Sequence, residues 1–206
     1  MTLSLWLSLL GASTLISFTP GAGAINTMTN SLNSGFRRSM WGILGQQAAL
    51  LVHVVVVAAG VGLLVSRSPM AFTAIRYAGA AYLVYLGVRL ILAKPQGAAE
   101  LDVKGRESAL SMFRRGLWVN LLNPKAIVFF LAFTPQFIRL DAPALPQYLV
   151  FIGTIVAVDI MVMWLFFAAS AKSFSRFTAT ERGQGILNLT FGTLFIFVAA
   201  LLVFIH

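Results

Sequence analysis

Long apolar runs alternate with short polar segments along the whole chain. Six runs reach or approach the roughly 20 residues that carry an α-helix across the hydrocarbon core of a bilayer. The pattern predicts spans over Leu3–Phe18, 40–65, 72–93, 117–138, 149–169 and 186–205. Helices are expected, because the Leu/Val/Ala runs lack the strict alternation of a barrel strand. Two interruptions stand out. The first run ends at Thr19-Pro20-Gly21, and the fourth is cut by Asn123-Pro124-Lys125.

Composition sharpens this reading. Of 206 residues, 59% are apolar and only 10% charged, with mean hydropathy +0.88. A soluble domain is nearer half apolar and about a quarter charged. A disordered chain, a soluble enzyme and a disulfide-stapled secreted scaffold are thereby excluded. Six spans use most of the length, so 1–206 reads as a single transmembrane domain with only short loops. The net charge of +9 could point to nucleic acid. The basic residues fall between apolar runs, however, with no continuous basic stripe, and no nucleic acid partner is expected. There are no cysteines, hence no disulfide and no Cys-ligated metal. Ala22-Gly23-Ala24 has the form of a signal-peptide cleavage site, but no Lys or Arg precedes Arg37, so the charged leader region is missing.

Loop charge gives an orientation. Arg37, Arg38, Lys94, Lys104, Arg106, Arg114, Arg115, Lys172, Arg176 and Arg182 lie in loops after the first, third and fifth spans; Arg67 and Arg139 lie in loops on the other side. The bias places the odd loops in the cytoplasm and both termini outside.

The chain also repeats itself. Pro20 and Pro124 interrupt spans one and four at an offset of 104. His53 and Asp159, the ionisable residues at the middle of spans two and five, stand 106 apart. Spans one to three (about 1–93) and four to six (about 116–206) read as two copies of a three-helix unit, joined by a cytoplasmic linker at about 94–115. Three is an odd number, so the second copy is inserted upside down. The expected fold class is therefore all-α: a polytopic membrane protein of six transmembrane helices in two inverted repeats. Matching broken helices in such repeats point to a secondary transporter with a midplane site.

The breaks carry the candidate chemistry. Pro20 has no N–H, which frees the carbonyl of Ile16, and Gly21-Ala22-Gly23-Ala24 follows with little side-chain cover, ahead of Asn26. The helix restarting there offers amides to an anion. Pro124 frees the carbonyl of Asn120, with the Asn120 and Asn123 amides beside it. Irregular backbone at this depth is tolerated only against protein or a water-filled cavity. Asp159 at the bilayer centre costs on the order of 3 kcal/mol and marks an ion or proton path. Pro20, Gly21, Gly23, Asn26, Asn120, Asn123, Pro124 and Asp159 are the expected substrate-binding residues, with Asp159 also coupling protons. Gln46 and His53, two turns apart on one helix face, and Lys125 are accessory polar groups. Lys125 has two readings, pairing with Asp159 or snorkelling to the interface. No catalytic residue, metal site or cofactor is expected: H-E-x-x-H, G-x-S-x-G, G-x-x-x-x-G-K-[ST] and G-x-G-x-x-G are all missing. Gly79-Ala80-Ala81 and Ala58-x-x-x-Gly62 read as helix-packing faces.

Ser17-Phe-Thr-Pro20-Gly21-Ala22-Gly23-Ala24-Ile-Asn26, Val119-Asn120-Leu-Leu-Asn123-Pro124-Lys125 and Val158-Asp159-Ile-Met-Val-Met resemble the successive signatures of the lysine exporter superfamily. The chain is most similar to the RhtB branch, the homoserine and homoserine-lactone efflux proteins of bacteria. Many members read Pro-Gly-Pro where this chain has Pro20-Gly21-Ala22. The resemblance implies a bacterial inner-membrane exporter of small neutral amino acids (homoserine, homoserine lactone or threonine), driven by protons. The bilayer, the amino acid and protons are its expected partners, and monomer and homodimer both stay open. The rival readings are an intramembrane enzyme, an accessory subunit without transport, and a channel.

Overall fold

The computed structural model describes residues 1–67, 69–93, 107–139, 141–178 and 180–204. Lys94, Lys104, Arg106 and His206, with most of the expected linker, lie outside the described residues. Among those described, the regular structure is entirely helical.

Both expected breaks are present, each with an identifiable local cause. Helix α1 (Leu3–Phe18) ends where Pro20 cannot donate, and the Thr19 N–H closes its last turn on the Leu15 carbonyl at 3.1 Å. Helix α2 (Ala22–Ser34) restarts at an axis 59° away and stops at Gly35, whose φ of +90° suits glycine alone. The second break repeats this. Helix α5 (Ala109–Leu121) starts on the Ser108 hydroxyl, and α6 (Pro124–Phe137) leaves it at 60°. Pro124 occupies the first position of α6, where its missing N–H costs nothing. The Asn123 side chain caps that helix by accepting the Lys125 N–H at 3.1 Å, an interaction worth about 1 kcal/mol.

The unbroken elements are α3 (Phe36–Arg67), α4 (Pro69–Ile91), α7 (Ala144–Met161), α8 (Ala169–Thr178) and α9 (Glu181–Phe204). A π-helical segment, Val162–Ala168, joins α7 to α8. Among the described residues, three stretches are long and apolar enough to cross a membrane: Phe36–Gly60, Ala144–Phe174 and Glu181–Ala200. Counting each bent pair as one span brings the number to five. The helices run beyond the expected apolar limits, with α3 starting at Phe36 and α5 at Ala109. Their polar first turns lie outside an apolar run but keep the hydrogen-bond ladder.

The outer surface is apolar. Leu3, Val55, Val56, Met70, Leu149 and Phe204 are all well exposed. Water would not tolerate so broad an apolar surface, whereas lipid does; the protein is a helical membrane protein.

Inside are two apolar clusters. One gathers Leu9, Leu50, Leu83, Phe151 and Val198 around a ladder of Phe129, Phe133 and Phe137. The other holds Ala24, Met28, Ile43, Val162, Met163 and Phe167. Among the described residues, α3 and α5 cross with backbone against backbone. The crossing brings Gly42 and Gly45 of α3 against Phe113 and Gly116 of α5. Along α4, Gly87 meets Gly192 of α9 in the same manner.

Candidate substrate site at the two helix breaks

A cavity of about 50 Å³ lies at the meeting of the two breaks, walled by members of both apolar clusters. Its polar lining is Ser17, Gly23, Gln46, Asn120, Asn123, Lys125 and Asp159. Such a volume holds a few waters.

The carbonyls freed by the two prolines are each taken by a basic side chain from the opposite half. Lys125 reaches across to α1, its Nζ donating to the Ile16 carbonyl at 3.1 Å and to the Thr19 carbonyl at 2.6 Å. The Asn120 carbonyl accepts the Asn123 N–H and lies 3.2 Å from His53 Nε2. A carbonyl can only accept, so that ring nitrogen carries the hydrogen. The His53 ring stacks on Phe130 with centroids 5.7 Å apart. Lys125 makes no salt bridge to Asp159 within 4 Å, although the two line one cavity and their opposite charges attract across it; its hydrogen bonds cap the broken end of α1.

Asp159 is held from two other helices. Its Oδ1 accepts the Ser17 hydroxyl of α1 at 3.0 Å, and its Oδ2 accepts Gln47 Nε2 of α3 at 2.7 Å. A carboxylate offers about four lone-pair positions, so these two contacts leave room for a cation in the cavity. The π-helical segment begins three residues further on. Such segments re-aim side chains and recur at functional sites. Its Ala168 carbonyl is taken by the Ser31 hydroxyl at 2.6 Å.

Gln46 ties α3 to the start of α2, donating to the Gly23 carbonyl at 3.1 Å and the Thr27 hydroxyl at 3.0 Å. A Cβ on Gly23 would stand 3.0 Å from Gln46 Oε1, so the glycine makes room for that amide. In return, Asn120 Nδ2 donates to the Gln46 carbonyl at 3.0 Å.

The structure thus brings Gly23, Gln46, Asn120, Asn123, Lys125 and Asp159 to one cavity, with His53 bonded to the Asn120 carbonyl beside it. Pro20, Gly21 and Pro124 face a separate cavity on the far side of Lys125. Asn26 is buried near Gly42 and does not line the site cavity. Gln47 is a residue that the sequence reading leaves out. It follows Gln46 directly, about 100° further round the helix, and α3 is packed closely enough for both amides to find protein partners.

Comparison with known proteins gives the family. The LysE type translocator model matches residues 14–205. The chain belongs to that family. A homoserine/homoserine lactone efflux protein of Salmonella typhimurium is 43% identical over 98% of this chain and 97% of its own length. An uncharacterized membrane protein of Vibrio cholerae is 37% identical over 95% of this chain and 94% of its own. The uncharacterized membrane protein YrhP of Bacillus subtilis is 31% identical over 72% of this chain and 73% of its own. No solved structure matches the chain.

The two prolines give a first test of the site. Pro20→Ala and Pro124→Ala each let a bent pair close its ladder, swinging the carbonyls held by Lys125 and His53. Transport should fall about tenfold or more, since small displacements at a binding site are costly, while most of the protein still inserts. Parent-like flux in both variants would make the prolines packing features only.

Proposed function

We propose that the chain is a proton-driven secondary exporter of small amino acids, of the homoserine, homoserine lactone or threonine type, in a bacterial inner membrane. One observation carries this reading: a single cavity between two broken helices is lined by both a carboxylate, Asp159, and an ammonium, Lys125. An amino acid presents the complementary pair. Its ammonium would face Asp159, and its carboxylate the amides in the first turn of α2, at Gly23 and Ala24, with Lys125 alongside. The Salmonella relative's description as a homoserine/homoserine lactone efflux protein supports the substrate class.

A proton and the substrate ammonium would compete for Asp159, so each would favour a carrier state that the other vacates. The chain has no nucleotide-binding motif, which leaves an ion gradient as the source of energy. The small cavity suits a carrier between its open states. The near-equal bends of 59° and 60°, with freed carbonyls capped crosswise, support two inverted repeats rocking about the site. In this reading α4, 23 residues and so about 35 Å long, supplies the sixth span.

Cells loaded with labelled amino acids test the function. Export of a homoserine-type substrate that collapses with a protonophore is the expected result. Export indifferent to the protonophore would overturn proton coupling, and an accessory subunit would move nothing. Topology follows from the loop charges: reporters fused after either terminus should be active only in the periplasm, and cytoplasmic activity at both would reverse the orientation.

A further inference from the structure

Behind Lys125 lies a larger cavity, of about 270 Å³. Its lining comes from the two breaks, with Pro20, Gly21, Asn123, Pro124 and Lys125, and from α4 and α9, where Arg89 stands among Leu86, Leu90 and Phe195. Asn123 and Lys125 line both cavities, so the partition between them is about one side chain thick. Among the described residues the two side-chain charges lining this cavity, Arg89 from α4 and Lys125 from α6, are both positive, and no carboxylate lines it. Lys125 is already engaged by two carbonyls. Arg89 is exposed and makes no hydrogen bond or ion pair with any described residue. An arginine in the last turn of a helix is favourable against the helix dipole. That explains a basic residue there, but not its place in a cavity that both breaks also line.

We propose that this cavity is a second substrate station, in which Arg89 binds the carboxylate of an amino acid before it passes Lys125 to reach Asp159. The inference rests on the export reading above and adds a specificity determinant to it. The planar guanidinium suits a carboxylate, which it can hold through two parallel hydrogen bonds. Asp159, in the inner cavity, serves the ammonium. A substrate whose carboxylate is closed into a lactone ring gains nothing from Arg89 and still meets Asp159.

Homoserine and homoserine lactone therefore separate the roles. The measurement is concentration-dependent uptake of each labelled compound into inverted membrane vesicles carrying the parent, Arg89→Gln or Arg89→Lys. In Arg89→Gln the half-saturating homoserine concentration should rise about tenfold, the size expected for a lost charge-assisted hydrogen bond. The maximal rate should change little, the lactone should be unaffected, and Arg89→Lys should recover part of the loss. Equal changes for both compounds would overturn the proposal and assign Arg89 to packing or to a lipid phosphate. No change for either would overturn it as well, with the export reading standing. A parent that transports neither compound would remove the export reading, and this station with it.

Discussion

Asp159→Asn should abolish proton-coupled export and leave the protein inserted and folded. The structure explains why folding should survive. Asn fills nearly the same volume, and its Oδ1 can still accept the Ser17 hydroxyl. Its Nδ2 would then face Gln47, whose Oε1 is buried without a partner and can accept once the amide turns over. Neither helix contact need be lost. What disappears is the charge proposed to attract the substrate ammonium and, among the described residues of the cavity lining, the one carboxyl group that can carry a proton. Removing a charge from the bilayer interior also relieves an insertion cost of a few kcal/mol. Lys125 does not depend on Asp159 for its hydrogen bonds, since both run to backbone carbonyls of the first break. The double variant Asp159→Asn with Lys125→Met should therefore stay inactive and be less stable than the single one. The measurement is proton-gradient-driven homoserine or threonine flux in vesicles, beside folded yield in detergent. Recovered flux in the double variant would sink the coupling role and leave Asp159 as a charge partner of Lys125.

The parts legible in the sequence are those set by single residues or by long averages. Pro20 and Pro124 each remove one N–H, and both breaks formed where those residues stand. Apolar runs set the helices, because a backbone in lipid must satisfy itself. Asp159 could be singled out because one ionisable residue at such depth is expensive. The rest depended on how the helices cross. Sequence position leaves Lys125 open between pairing with Asp159 and snorkelling; its hydrogen bonds to the Ile16 and Thr19 carbonyls exist only once α6 lies beside α1. Gln47 and Arg89 carry no motif; one faces α7 and the other a cavity wall through the azimuth of their helices. Asn26 belongs to the first break by sequence but points at Gly42 rather than into the site. The π-helical turn after Asp159 adds a residue to one turn with no compositional mark at all.

The helix crossing under the site should be as intolerant as Asp159, for a steric reason. A Cβ on Gly116 would stand 2.0 Å from the Gly42 carbonyl oxygen and 2.9 Å from its carbon. Both are backbone atoms, so no side chain can rotate away, and α3 and α5 must part by more than about 1 Å. Close glycine crossings of this kind supply much of helix association in lipid, where no hydrophobic force between helices exists. The same pair of helices carries the contacts of Asn120 with the Gln46 carbonyl and with His53, one turn further along α5. Spreading the crossing therefore loosens the site as well as the packing. Gly116→Ala should cost about 1–3 kcal/mol, lowering the thermal midpoint in detergent by roughly 3–10 °C for a chain of this length, with transport falling in parallel. Gly153→Ala is the control, because a Cβ there meets nothing within 4 Å and should leave both quantities unchanged. A Gly116→Ala protein with the parent's midpoint and flux would show that α3 and α5 do not cross this closely in the membrane, and would undo the placement of Asn120 beside Gln46.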